Sequence, residues 1–242
     1  MTNLDLSLKN WLEITTTQIF ERFSTLKTSQ SIERGTDDTR FLYVPGMRAD
    51  RVLLLAHADT VWDAKEGYPA SVKYADGVYS SQHTELGIGA DDRAGCALVW
   101  EKRDLGHSLL ITSGEEKGCI ASHWLADANP DVLAELNAHQ FMIQFDRQQA
   151  TQFKCYEVGT DEFRAYVHAQ TGYTEPDRLR GTDIKVLAQQ ICGVNLSVGY
   201  YDEHTPNERL VCAEWEHTLS VARAWLSQTD LPRFARNGVA SP

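Results

Sequence analysis

The spacing of apolar positions changes several times along the chain, and each change marks an element. Between Asp5 and Lys27, the residues Leu8, Trp11, Leu12, Ile19, Phe20 and Phe23 recur at three- and four-residue steps, the period that gives a helix one apolar face. Phe41–Val44 predicts a short strand closed by Pro45-Gly46. Val52–Ala56 contains no polar residue, as expected of a central strand covered on both faces. Ser71–Ser80 has Asp76-Gly77 at its middle and predicts a hairpin. Asp92–Glu101 predicts a helix, Ser108–Thr112 a second buried strand, and 120–128 a helix beyond Gly114. Phe141–Phe145 and Phe153–Glu157 predict further strands. Next come a helix over Thr182–Cys192, N-capped by Thr182 or Asp183, a strand over Val194–Val198 and a last helix over Glu208–Ser227. The stretch 229–242 carries Pro, Gly and Ser and predicts a frayed tail.

Strands alternating with helices predict a three-layer α/β/α sandwich with a mostly parallel central sheet. A length of 242 residues suits one large domain or two small ones, and no repeat or low-complexity linker divides the chain. No run of 18 apolar residues is present, so no membrane span is expected. The start, MTNLDLSLKNWLEI, carries acids and lacks the basic and apolar regions of a signal peptide, which predicts a cytoplasmic protein. Five cysteines without a CxxC pair read as reduced, mostly buried thiols. The net charge of −11 argues against nucleic acid as a partner. It fits either a solvated acidic surface or carboxylates converging on bound cations, and charge alone does not separate the two.

The candidate chemistry lies just after the strands, where open α/β sheets build their sites. His57 and Asp59 follow Val52–Ala56, Glu115 and Glu116 follow Ser108–Thr112, and Asp146 follows Phe141–Phe145. Tyr200, Tyr201 and His204 follow Val194–Val198, and Asp91-Asp92 open the helix after GIGA. Each has an ordinary reading: a hydrogen-bonded histidine, or acids favoured at a helix N-terminus. Taken together, imidazole nitrogens with carboxylate oxygens suit zinc, or cobalt or manganese, and five donors suit a metal pair about 3.5–4 Å apart.

The ordered set His57-Ala58-Asp59, Gly89-Ala90-Asp91-Asp92-Arg93-Ala94-Gly95, Glu115-Glu116, Asp146 and His204 resembles the co-catalytic zinc exopeptidases: aminopeptidases, carboxypeptidases and acyl-amino-acid deacylases. It spans Leu53 to Pro206, and GTDIKVLAQQICGVNLSVGYYDEHTP is similar to the group's C-terminal half. The resemblance implies two zinc ions bridged by Asp91, one completed by His57 and Asp146, the other by Glu116 and His204. It implies that Asp59 orients His57, that Glu115 is the general base, and that the Asp91–Asp92 peptide is cis. Arg147 is a candidate for a substrate carboxylate, Asp92 or Asp202 for a substrate ammonium, and Tyr200 and Tyr201 for the oxyanion or a side-chain pocket. Each of these has a packing alternative, as does Asp183 as an N-cap.

Many relatives insert a second domain that caps the site or dimerises. The gaps here leave no room for one, so a single catalytic domain over 1–242 with an open site is expected. The resulting expectation is a two-zinc hydrolase of a peptide or amide bond in a small peptide or acylated amino acid, first of all an aminopeptidase. A carboxypeptidase or N-acyl amino acid deacylase on the same fold is the alternative, and a non-catalytic metal-binding relative is a further one.

Overall fold

The computed structural model describes residues 3–177 and 181–236. The helices are α1 (Asn3–Leu12), α2 (Thr16–Ser24), α3 (Ala90–Trp100), α4 (Ile120–Ala128), α5 (Pro130–Leu136), α6 (Asp161–Thr171), α7 (Asp183–Leu187) and α8 (Cys212–Leu226). The strands are β1 (Ile32–Arg34), β2 (Phe41–Val44), β3 (Leu53–His57), β4 (Val72–Ala75), β5 (Val78–Ser81), β6 (Ser108–Thr112), β7 (Met142–Arg147), β8 (Phe153–Lys154), β9 (Gly193–Ser197), β10 (Tyr200–Tyr201) and β11 (Arg209–Val211).

A seven-stranded sheet runs in the order β1-β2-β6-β3-β7-β9-β8. Its centre, β6-β3-β7-β9, is parallel, and β1, β2 and β8 add antiparallel margins. The apolar run of β3 works on both faces because successive side chains point to opposite sides. Leu54 and Ala56 join Trp11, Phe23, Leu98 and Trp225 in one buried cluster. Leu53 and Leu55 join Leu125, Val132, Leu136 and Leu187 in the other. Each fully buried leucine contributes roughly 1.5–3 kcal/mol, so Leu54→Ala would cost on the order of 2–5 kcal/mol once its cavity is counted.

Several boundaries differ from those predicted. The first helical stretch is two helices, because Thr15 caps α2: its side chain accepts from Gln18 N–H, and Gln18 returns a bond to the Thr15 amide. The helix predicted to Cys192 stops at Leu187, and Ala188 leaves helical geometry ahead of β9. The final helix starts at Cys212 because Arg209–Val211 pairs with β5. That pairing completes a second, antiparallel sheet in the order β10-β11-β5-β4, of which only the β4–β5 hairpin was predicted. The predicted tail is docked as far as Arg236. Leu231 and Phe234 are buried, Phe234 N–H donates to the Gln140 carbonyl at 3.0 Å, and its ring packs on Phe163 and Tyr166. Residues 237–242 lie outside the described residues. All five cysteines are free and buried. No described helix is long and apolar enough to cross a membrane.

Candidate metal centre

The parallel strands β3, β6, β7 and β9 end on one rim, so the residues just beyond their carboxyl ends meet in space. Helix α3 reaches the same rim closely enough that only glycine fits at position 95. A Cβ there would stand 1.8 Å from the Phe145 carbonyl oxygen.

His57 is wholly buried, with Nε2 3.2 Å from Asp91 Oδ1, 3.5 Å from Asp146 Oδ1 and 3.9 Å from Glu115 Oε2. His204 arrives from the turn between β10 and β11, its side chain 42% exposed. Its Nε2 lies 2.8 Å from Glu116 Oε2 and 3.2 Å from Asp91 Oδ2. The two oxygens of Asp91 therefore face different histidines. The Asp91–Asp92 peptide is cis, as the resemblance implies.

Asp59 does more than face His57. The nearer partner of His57 Nδ1 is the Asp59 backbone oxygen at 3.0 Å, with carboxylate Oδ1 at 3.4 Å. The carboxylate itself accepts the backbone N–H groups of Glu115 and Glu116, each at 3.2 Å. One residue thus ties the end of β3 to the turn after β6. Asp146 is held as firmly: Oδ2 accepts from Thr182 Oγ1 at 2.8 Å and Gln144 Nε2 at 3.0 Å, and Oδ1 from the Tyr200 hydroxyl at 3.3 Å.

Crowded buried carboxylates raise one another. Burial first, and then the Asp91 charge, push Asp146 up to about 6 against the pull of His57. Burial, with Asp146, Asp183 and Asp91, pushes Glu115 well above the ordinary carboxylate range, and burial raises Glu116. Burial would lift Asp91 too, but His204 and His57 outweigh it and hold its carboxyl low. Burial opposes charge on His57, yet Asp146, Asp59 and Asp91 carry it well above its usual value. His204 is raised to about 10 by Asp91 and Glu116. Such a set of opposed charges and N/O donors is the chemistry that a hard or borderline divalent cation satisfies.

Among the described residues, two donor groups converge closely enough to hold a cation, His57 with Asp91 and Glu116, and His57 with Asp92 and Asp146. Asp92 is the weaker donor on chemical grounds. Its oxygens already accept the backbone N–H of His57 at 3.2 Å and of Gly95 at 3.0 Å. It is fully buried and does not line the cleft, which removes it as a partner for a substrate ammonium. Tyr201 also points elsewhere: its hydroxyl donates to Glu214 at 2.7 Å and its ring stacks under Arg209. Tyr200 does line the cleft, though its hydroxyl is engaged with Asp146. Arg147 lines the cleft beside Asp146. Asp202 is exposed and paired with Arg209. Asp183 is buried, accepting from Thr112 and Ser122 hydroxyls at 2.7 Å each.

Sequence reasoning missed Glu208. It is buried, with Oε1 accepting from Asp91 N–H at 3.1 Å and Oε2 from Gly89 N–H at 2.8 Å and Trp62 Nε1 at 3.2 Å. It grips the loop that carries Asp91. Its position four residues after His204 was the available signal, hidden by reading Glu208 as the acidic start of a helix.

No protein-family model matches the chain, and no curated protein matches it by sequence. The fold is similar to solved structures. Aminopeptidase PepT from Bacillus cereus has 15% identity over 93% of this chain and 97% of that one, with TM-score 0.66. The TET1 peptidase of Pyrococcus horikoshii, which can assemble into a tetrahedron or a large octahedral shell, has 13% identity over 93% and 99%, with TM-score 0.65. Aminopeptidase APDkam598 from the archaeon Desulfurococcus kamchatkensis has 11% identity over 99% of each chain, with TM-score 0.64. At such identities the likeness establishes the fold alone.

Proposed function

We propose that the protein is a two-metal hydrolase of peptide or amide bonds in small substrates, acting first of all as an aminopeptidase, through one catalytic unit without an inserted capping domain. The observation that carries this reading is Asp91, whose two oxygens each lie 3.2 Å from a different histidine, Oδ1 from His57 and Oδ2 from His204. His57, Asp91 and Asp146 would hold one cation, and Asp91, Glu116 and His204 the other. Zinc fits the donors, with cobalt or manganese as alternatives. When bound, such a pair lowers the pKa of a water and polarises the scissile carbonyl.

The chain's own residues supply the rest. Glu115, raised by burial and its acidic neighbours, is suited to take a proton and return it. It accepts the proton of the attacking water on a carboxylate oxygen and delivers it to the departing amine nitrogen. Asp59 fixes Glu115 and Glu116 through their backbone amides, so base and ligand move as one turn. Asp59 also sets the tautomer of His57, leaving Nε2 free to face the centre.

A panel of amino-acyl and N-acyl substrates, assayed with and without added zinc, cobalt or manganese, tests the reading. The wild-type protein should bind about two metal equivalents. Glu115→Gln should keep them and lose turnover by roughly 100- to 10,000-fold. A fully active Glu115→Gln protein would remove Glu115 as the base.

A further inference from the structure

Arg147 ends β7, is 8% exposed and lines the cleft with Asp91, Glu115, Glu116, Asp146 and His204. Its Nη2 donates to Gln152 Oε1 at 2.8 Å, and its buried Nε has no hydrogen-bond partner. Among the described residues it forms no ion pair. This is an unusual state for a guanidinium, which offers five N–H donors and is costly to bury without a counter-ion. Of the carboxylates lining the cleft, Asp91, Glu115, Glu116 and Asp146 face the histidines and, on the two-metal reading, the cations, and Glu203 accepts from Gln148 Nε2 at 2.8 Å. A guanidinium with a single hydrogen bond and no counter-ion among the described residues therefore stands at the wall of the cleft. Tyr156 and Gln148 line the same cleft, and Tyr156 lies close enough to feel the Arg147 charge. Planar forks of this kind match a carboxylate bidentately.

We infer that Arg147 is a specificity-determining residue that binds a substrate carboxylate, so that the cleft selects small molecules with a free carboxylate near the scissile bond. This rests on the two-metal hydrolase reading and narrows its substrates. Two sources present that group: the terminal carboxylate of a dipeptide or N-acyl amino acid, and an acidic side chain beside the scissile bond. Long peptides with neutral side chains there, and amidated chains, present neither.

Matched substrates tested on the zinc-loaded enzyme separate the cases. Free-acid dipeptides and N-acyl amino acids are compared with their C-terminal amides, and Asp or Glu side chains with Asn or Gln. The wild-type enzyme should prefer the carboxylate member of one pair by about 10- to 100-fold in kcat/KM, mainly through KM. Arg147→Gln should bring that ratio close to one, and Arg147→Lys, which keeps the charge but not the fork, should retain part of it. The pair that shows the preference identifies the source. Equal treatment of both pairs by the wild-type enzyme overturns the inference, as does a preference that survives in Arg147→Gln. Calorimetric binding of an N-acetyl amino acid and of its amide to the zinc-loaded protein needs no turnover. Arg147-dependent binding of the acid without cleavage of any substrate would reject the hydrolase reading and keep the carboxylate site. Cleavage without acid preference would do the reverse.

Discussion

Helix α3 buries charge at both of its ends, and the two ends handle it differently. At its start, Asp91, Asp92 and Arg93 are all buried, and each has several partners. Asp92 accepts from two backbone amides, and Arg93 donates to the Ala58 carbonyl and to Asp63 at 3.2 Å while lying over the Tyr68 ring. Just past the other end, Lys102 is 0% exposed. Its ammonium has one hydrogen bond, to the Leu98 carbonyl at 3.3 Å, and the face of Phe145 at 4.9 Å. The helix dipole favours anions at the first end and a cation at the second, so it does not explain the contrast. Convergence does. Groups drawn from several strands and two sheets meet at the first end, whereas the second buries a single charge with little to offset it. The first arrangement is what a site requires; the second is a burden on stability.

The largest effect is expected from breaking the convergent end. Asp91→Ala removes the one group that faces both histidines, so on the two-metal reading both sites fail together. Turnover should fall by at least about 1,000-fold, and bound metal from about two equivalents to fewer than one. Metal analysis beside a single-substrate assay checks this. A variant that kept one full equivalent would show that the two sites are independent and that Asp91 does not bridge them.

Lys102 sharpens the other half of the comparison. Burial, with a smaller contribution from Arg223, lowers it from 10.5 to about 7, against the weaker opposing pull of Glu101 and Asp104. Between those two values the unfolded chain binds the proton that the folded chain releases. Stability should therefore rise as pH climbs from about 7 to about 10, and the penalty is full below about 7. Lys102→Met, of similar length and without the charge, should flatten that rise and stabilise the protein at pH 6 by as much as about 5 kcal/mol. Denaturant unfolding at pH 6, 8 and 10 measures it. An unchanged slope in the variant would mean that another group governs the pH dependence.

The contrast also explains what could be read in advance. His57, Asp59, Asp91, Glu115, Glu116 and Asp146 were legible because each directly follows a strand or opens a helix on the rim, and sheet topology then gathers them. Their apolar strands were legible for the same reason, since β3 has no polar side to lose. Which of two neighbours faces the site was legible only through the resemblance for Asp91 and Asp92, and was not legible for Tyr200 and Tyr201. Asp91 and Asp92 are consecutive acids that residue type alone does not separate; the cis peptide that the resemblance implies between them turns Asp91 toward the histidines and Asp92 into amide contacts. Tyr200 and Tyr201 sit in a strand hidden by its length of two residues, and alternation within it turns Tyr201 toward Glu214. Helix α6 was missed because most of its face is exposed and polar. Its capping signals, Thr160 accepting from Phe163 N–H and Gly172 at the far end, were present. Lys102 was invisible because a lysine after a helix is ordinarily solvated.

The smallest effect concerns Glu208, which joins the second sheet's side of the molecule to the convergent end. Burial raises it to about 7 despite the amides of Asp91 and Gly89 and the Trp62 indole that it accepts from. Both of its oxygens are acceptors for N–H donors. Glu208→Gln keeps the shape but turns one acceptor into an NH2 group, which must then confront either the Asp91 amide or the Gly89 and Trp62 donors. The loop should shift and Asp91 with it, while every proposed ligand remains in the chain. Metal affinity should fall by about tenfold, as for other groups that hold a ligand without touching the metal. Titrating zinc against a competing chelator reads this directly, and thermal unfolding of the metal-free variant separates a displaced loop from a loosened fold. Equal affinity in wild type and variant would mean that the Asp91 loop is held by its own packing, with Glu208 contributing only to the burial of Trp62.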